Sequence, residues 1–306
     1  MSMSTTQWDH LIASRSAYVK SVMVDEYNKR KQMFPMLFNM ENSDRYSEVL
    51  HEEASLGMAS AIDGELPEAW PTDDFKHRYT KAFIHAWYGL QIQFTKPFLM
   101  NDVDRLGPRR SRALMTAGLN TQEYWASRIF VNMTATGDYA LPDTKALAAT
   151  DHPLPLNVLG TATTASNYIN ATLDHDSLQD MLTNMDTMVN ERGFPIASPM
   201  TRLVVAPANA PLASEIRNST QRHDTTENAV NVIGRDYNFE IVPWHFIQSA
   251  TFWAGQAADH QLYWFTRQGI QERTNEDFDN YGITAKIDFF FSSGAFGWRG
   301  FVGGTT

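Results

Sequence analysis

Residues 283–291 alternate with period two and run straight into an aromatic, glycine-rich stretch, and this joint constrains the fold more than any other part of the chain. Ile283, Ala285, Ile287, Phe289 and Phe291 fall on one face of such a strand, and Thr284, Lys286, Asp288 and Phe290 on the other. Gly294, Gly297, Gly300, Gly303 and Gly304 follow, with Phe296, Trp298 and Phe301 between them. This reads as a long buried strand followed by a tight aromatic terminus. Trp298 and Phe301 are either core residues or interface residues. The segment offers no nucleophile, base or metal ligand in a working arrangement.

A chain of 306 residues with 43% hydrophobic residues can bury a large core or two medium ones. Eight Trp and eighteen Phe favour large apolar contacts, within a core or between subunits. The net charge of −10 argues against tight, sequence-independent DNA binding by a basic face. It leaves open a wall that faces nucleic acid without gripping it. With no cysteine, disulfides, thiolate nucleophiles and Cys-based zinc sites are excluded, which fits folding in a reducing cytoplasm. The N-terminal residues lack the pattern of a signal peptide, and no run of 18 apolar residues is long enough to span a membrane.

Residues 1–45 read as an arm. Phe34, Pro35, Met36, Leu37 and Phe38 form an apolar knot that looks exposed, after helical patches at Tyr18, Val22 and Tyr27. The arm either packs on its own domain or docks on a neighbour. Residues 46–95 read as a long two-stranded excursion, with 79–94 strand-like. Its tip carries Asp63, Glu65, Glu68, Trp70, Asp73 and Asp74, and Gly64, Pro67 and Pro71 forbid regular structure there. Such a hairpin buries little against its own chain and needs a partner. Residues 102–133 read as one long helix that Asp102 can cap, with Pro108 near its start and Gly118 as a point of bending. Arg105, Arg109, Arg110 and Arg112 form the only dense basic cluster, either ion-paired within the helix start or bridging to another subunit's acidic hairpin. A clean amphipathic helix is expected over 174–192, ended by Gly193, and strands at 202–206, 239–244 and 261–266. Residues 212–218 suggest a short helix. The mixture is α+β.

Chemistry is hard to place. There is no HExxH, no glycine-rich phosphate loop and no G-x-S-x-G. His51, Glu52 and Glu53 are adjacent rather than three or four apart, which does not suit a metal site on a helix. Asp151, His152 and Pro153 read as a turn rather than part of a triad. Asp174, His175 and Asp176 read as a helix start, and Glu276, Asp277 and Asp279 as a charged turn. No enzyme activity, cofactor or metal is expected. Several segments cannot satisfy themselves alone, which suits a subunit of a closed assembly.

Five stretches in order carry a family resemblance. They are Phe38-Asn-Met-Glu-Asn-Ser-Asp-Arg45 with Gly57 and Asp63-Gly-Glu65 beyond it; Gln93-Phe-Thr-Lys-Pro-Phe-Leu-Met-Asn-Asp102; Ala149-Thr-Asp-His-Pro153; Arg192-Gly-Phe-Pro195 with Leu203-Val-Val-Ala-Pro207; and Phe289 to Gly300. On these the chain resembles the major capsid (major head) proteins of tailed bacteriophages, and especially the Mu-like major head subunit group. The resemblance implies an α+β, Hong Kong 97-like capsid fold with an N-terminal arm (1–45) and an extended β-hairpin loop (46–95). It implies a long spine helix with a peripheral domain (96–173), an axial domain (174–265), and a C-terminal return strand with its aromatic, glycine-rich terminus (266–306).

The same resemblance implies self-assembly as pentamers and hexamers into an icosahedral head, made in the host bacterial cytoplasm, that encloses double-stranded DNA without reading its sequence. Its implied partners are a portal protein, a decoration protein and a separate scaffolding protein, the last because no long scaffolding segment precedes the hairpin. Phe34, Phe38, Asp63, Glu65, Glu68, Trp70, Asp73, Asp74, Arg105, Arg109, Arg110, Arg112 and Trp298 are the candidate inter-subunit contacts. Two other readings stand beside this one: an encapsulin-like nanocompartment shell, and a soluble α+β enzyme with an unrecognised site.

Overall fold

The alternation at 283–291 is realised as the spine of a sheet. The computed structural model describes residues 5–59, 70, 72–95, 97–98, 106–155, 163–222, 230–277 and 282–305. Its helices are α1 (Thr5–Lys29), α2 (Leu106–Val131), α3 (His175–Asp186), α4 (Ala210–Asn218) and α5 (Val232–Asp236). The strands in chain order are β1 (Asn39–Asn42), β2 (Ser47–Ala54), β3 (Lys76–Ile84), β4 (Ala86–Phe94), β5 (His152–Pro153), β6 (Thr164–Ala165) and β7 (Tyr168–Ile169). They continue with β8 (Met200–Val205), β9 (Glu240–Pro243), β10 (Trp253–Ala257), β11 (Leu262–Asp277), β12 (Gly282–Ala295) and β13 (Phe301–Gly304). The chain divides into two units, one from residues up to 48, 83–127 and 264–293, the other from 49–82, 128–263 and 294 onward.

In the first unit, β1, β11, β12 and β4 form a sheet in that order. β12 and β4 are antiparallel, with Ile283 opposite Phe94 and Phe291 opposite Ala86. Ile283, Ala285, Ile287, Phe289 and Phe291 are all buried. Helix α2 covers this face and approaches so closely that a Cβ on Gly118 would stand 2.6 Å from Ile287 Cδ1. Gly118 therefore serves close approach of helix to sheet. Helix α1 packs within the same unit. Met23 is fully buried, Thr116 Oγ1 donates to Glu26 Oε1 at 3.4 Å, and Lys20 pairs with Glu272 at 3.5 Å. The arm's helix thus packs on its own domain.

The apolar knot is buried rather than exposed. Phe34 and Phe38 meet the buried Trp264 ring at centroid distances of 4.2 and 6.2 Å, and Trp264 stacks on Phe291 at 4.3 Å. Glu123 Oε1 accepts the Met33 and Phe34 N–H groups at 2.5 and 3.4 Å, which fixes the turn that delivers the knot. The run 79–94, read as one strand, is two. His85 interrupts it, and the halves pair with different partners, β3 with β2 and β4 with β12. His85 is held by Ser43 Oγ and Ser292 Oγ, each 3.0 Å from a ring nitrogen, and a side chain so tied cannot continue the alternation.

The second unit is built on the sheet β7-β13-β10-β8-β9. Phe130 sits against Trp244, Phe301 and Phe252 at 5.3, 5.8 and 6.4 Å, edge to face. Gly304 lies opposite Trp253, and a Cβ there would stand 2.2 Å from the indole, so the glycine-rich ending lets β13 lie flush against large rings. Helix α3 is capped by Asp174, whose carboxylate accepts the Ser177 N–H at 2.7 Å while Ser177 Oγ accepts the Asp174 N–H at 2.9 Å. It ends at Asp186, short of the expected 192. Asn190 Oδ1 accepts the N–H groups of Arg192 and Phe194, both at 2.9 Å, and closes a turn in place of helix. The strand expected at 261–266 continues to Asp277.

His260 gives this unit a defined acid sensitivity. It is buried, its Nδ1 accepts the Leu262 N–H at 3.3 Å, and burial with Arg202 nearby pulls its pKa down to about 4, against the pull of Asp259. The folded state holds the neutral ring, so the unfolded chain binds more protons between about pH 6.5 and 4. Its contribution is complete above about 6.5 and is lost as the pH falls toward 4, by about 3 kcal/mol in all. Urea unfolding at pH 7.5 and pH 5 measures this slope. His260→Gln is expected to flatten it, and an unchanged slope would reassign the acid sensitivity to other groups.

Candidate assembly surfaces

The β2–β3 hairpin is fastened to its own unit by two charged clamps. In β2 the period-two alternation sends His51 and Glu53 outward and Glu52 inward. His51 Nδ1 lies 3.0 Å from Thr80 Oγ1, and Glu53 lies 3.5 Å from His77. Glu52 meets Arg78 at 3.8 Å and Arg299 at 3.2 Å, and Arg299 also pairs with Glu191 at 2.9 Å. All four side chains are between 7% and 13% exposed, so the quartet is an internal ionic cluster of zero net charge. Burial raises the Glu52 carboxyl against the pull of Arg78 and Arg299, and burial lowers the Arg299 guanidinium against Glu191 and Glu52. Arg299 Nε donates to Val189 O at 3.1 Å, and its guanidinium lies 4.7 Å from the Trp298 ring.

The second clamp lies further out along the hairpin. Arg192 Nε donates to Ser55 O at 2.5 Å, and its Nη2 lies 2.9 Å from Asp73 Oδ2. Asp73 also accepts the Gly57 N–H at 2.7 Å, which together with the Asp74 N–H and Arg192 holds its carboxyl below the usual range. Asn190 Nδ2 adds a bond to Ser55 Oγ at 2.9 Å. The turn at 190–192, which replaces the end of the expected helix, is the part that grips. On β3, Lys81 Nζ donates to Ala140 O and Ala295 O at 3.0 and 2.9 Å, and burial pulls its pKa down to about 8.

Of the candidate contact residues, Asp63, Glu65, Glu68 and Arg105 lie outside the described residues, as does the capping candidate Asp102. Phe34, Phe38 and Trp298 are buried in their own chain, Trp298 stacked on His152 at 4.8 Å. Asp73 is engaged by Arg192, and Asp74 is exposed. Arg109, Arg110 and Arg112 are exposed on α2; Arg110 covers the Phe98 ring at 4.4 Å, and none pairs with an acid among the described residues. Trp70 is 73% exposed, with Met58 at 68% and Phe75 at 56% on the same excursion. The sheet of the first unit adds Trp87, 69% exposed and stacked face to face on Phe290 at 5.5 Å. These are among the large exposed apolar side chains on the excursion and on this sheet, within the described residues.

Two features escaped the sequence. His152, read as a turn residue, is fully buried in β5, between Asp143 Oδ2 at 2.8 Å and Asn167 Oδ1 at 3.0 Å. The quartet draws on residues 52, 78, 191 and 299, whose only local signal is an acid on the inward register of β2. Among the described residues no cluster of His, Asp or Glu could hold a metal ion, and no helix is long and apolar enough to cross a membrane.

A family model described as phage capsid protein matches residues 78–303. No curated protein sequence matches the chain. Among solved structures, a chain of Mycobacterium phage Patience is similar with a TM-score of 0.58 and 12% identity, over 98% of this chain and 87% of that one. A chain of Microbacterium phage Oxtober96 gives 0.56 and 9%, over 90% and 91%. A chain from the capsid of an empty GTA particle gives 0.54 and 8%, again over 90% and 91%.

Proposed function

Because the chain belongs to the phage capsid protein family, matched over residues 78–303, we propose that it assembles as pentamers and hexamers into the icosahedral head that encloses the double-stranded DNA of a tailed phage. The protein is a major capsid protein with a Hong Kong 97-like fold, and its role is structural rather than enzymatic. The family match is the observation that carries this reading, and it favours a phage head over a cargo-filled nanocompartment. Residues 1–45 act as the arm, 46–95 as the extended loop, 96–173 as spine helix and peripheral domain, 174–265 as axial domain and 266–306 as return strand. Met58, Trp70, Phe75 and Trp87 are surfaces for neighbouring subunits. Arg109, Arg110 and Arg112 take acidic partners from a neighbour's loop, where Asp74 is free of the clamp that holds Asp73. A surplus of ten acidic over basic residues keeps the wall from clutching packaged DNA. Assembly in the host cytoplasm, with a separate scaffolding protein, a portal and a decoration protein as partners, completes the reading.

Negative-stain electron microscopy of the protein, expressed alone and with its genomic neighbours, tests the proposal. Closed shells, or hexamer and pentamer rings, are the expected result. Uniform monomers or dimers under every condition would overturn it. Charge reversal at Arg109 and Arg110 is expected to abolish shells, and intact assembly by that variant would remove those residues from the interface.

A further inference from the structure

Helix α4 and the strand β9 flank an open polar cleft of about 540 Å³ lined by Thr201, Ser214, Arg217, Asn238 and Glu240, among others. Among the described residues Arg217 is its one cation, and it is poorly compensated. Its Nη2 donates to Asn238 Oδ1 at 3.0 Å, its guanidinium lies 5.6 Å from the Phe239 ring, and its Nε is buried without an acceptor. No carboxylate among the described residues forms an ion pair with it, although Glu240 lines the same cleft. With one neutral partner and no counter-charge among the described residues, this half-buried guanidinium is a place where an arriving carboxylate would supply one. The floor of the cleft adds a second feature. β9 is the outer strand of its sheet, so one side of its backbone lies outside the ladder. Glu240 and Pro243 on this edge discourage indiscriminate strand pairing.

We infer that the cleft between α4 and the β9 edge is a socket for an acidic side chain of a second copy of this chain. The inference rests on the shell reading above, which sets identical copies side by side. Charge complementarity selects the occupant. Each copy carries 35 acidic residues against 25 Lys and Arg, so a neighbour's surface is rich in carboxylates. Glu240 in the wall disfavours a nucleic-acid backbone, whose successive phosphates would meet it. In a ring of identical subunits, a socket on one flank meets a carboxylate on the other flank of the next copy, and the contact repeats until the ring closes.

The test compares Arg217→Glu and Arg217→Lys with the parent chain, and uses the absence of cysteine to place a single reporter by Ser214→Cys. Among the described residues Arg217 makes one neutral hydrogen bond, so both variants should melt within about 4 °C of the parent. Arg217→Glu is expected to lower the yield of rings and shells about 10-fold or more, and Arg217→Lys to keep it within about twofold. Maleimide labelling of the cysteine should slow about 10-fold on assembly, as the cleft fills. If Arg217→Glu assembles at parental yield, or the cysteine labels equally before and after assembly, the inference is overturned and the shell reading stands. If inorganic phosphate protects the cysteine in dissociated protein while assembly does not, the site takes a free anion, and the inference is again overturned. If the parent chain forms no oligomer at all, the shell reading fails, and this inference with it.

Discussion

Replacing Arg299 with alanine is expected to cost about 3–5 kcal/mol of stability in the second unit, the size seen when one partner of a buried ion pair is removed. The direction follows from the geometry. Arg299 lies between Glu52 at 3.2 Å and Glu191 at 2.9 Å, with 8% of its side chain exposed. Without it, two buried carboxylates remain with Arg78, which reaches Glu52 at 3.8 Å. One of them must take a proton or stay charged in a medium that solvates it poorly. The penalty should therefore shrink as the pH falls through the carboxylate range, because protonation removes the uncompensated charge. Urea unfolding of dissociated subunits at neutral pH, repeated under acid conditions, measures both effects. A second variant separates charge from shape. Arg299→Met combined with Glu191→Gln removes one charge of each sign, leaves the Glu52–Arg78 pair intact and should recover much of the loss. A loss below about 1 kcal/mol for Arg299→Ala would mean that water already reaches the cluster.

Trp264→Ala carries the second large effect, also about 3–5 kcal/mol, by cavity formation and lost transfer energy in the first unit. Trp264 is 1% exposed and touches Phe34, Phe38 and Phe291 with ring centroids 4.2, 6.2 and 4.3 Å away. Its loss removes the surface on which residues 34–38 rest, so the variant should be cut by trypsin after Arg30 and Lys31 much faster than the parent. Hydrogen exchange at the Leu37 N–H, which donates to Phe34 O at 2.9 Å, reports the same release. Trp264→Phe keeps most of the contact and should cost under about 1.5 kcal/mol. Unchanged cleavage in the alanine variant would show that Glu123, through its bonds to the Met33 and Phe34 N–H groups, holds the segment unaided.

The sequence spoke most clearly where a period or a cap is local. The apolar face of β12, the long helix α2 and the Asp174 cap all follow from neighbours within a few residues, and they stand where the pattern puts them. Legibility failed where the deciding partner is distant. Nothing near His85 says that Ser43 and Ser292 hold it, so the pattern reads as one strand where there are two. The knot at 34–38 looked exposed because Trp264 and Glu123, which bury it, lie far along the chain. Past Thr266, β11 alternates mostly polar residues, and its pairing with β12 rather than its own pattern keeps it extended. The quartet of residues 52, 78, 191 and 299 has no sequence spacing at all, only convergence in space. The family itself was legible, because five weak motifs in the right order outweigh any one of them.

The order β7-β13-β10-β8-β9 also sets a schedule. β8, β9 and β10 leave the ribosome and can pair while residues 301–304 are still unmade, and at ~5–20 residues per second the interval lasts roughly several seconds. During that time β10 presents an unpaired edge, and β7, which joins β13 by the register Gly303 to Tyr168, has no neighbour to receive it. A capsid subunit is thus withheld from completing this sheet until β13 arrives. Slow codons between β10 and β13 would lengthen that exposure and favour aggregation, with no change in the finished fold.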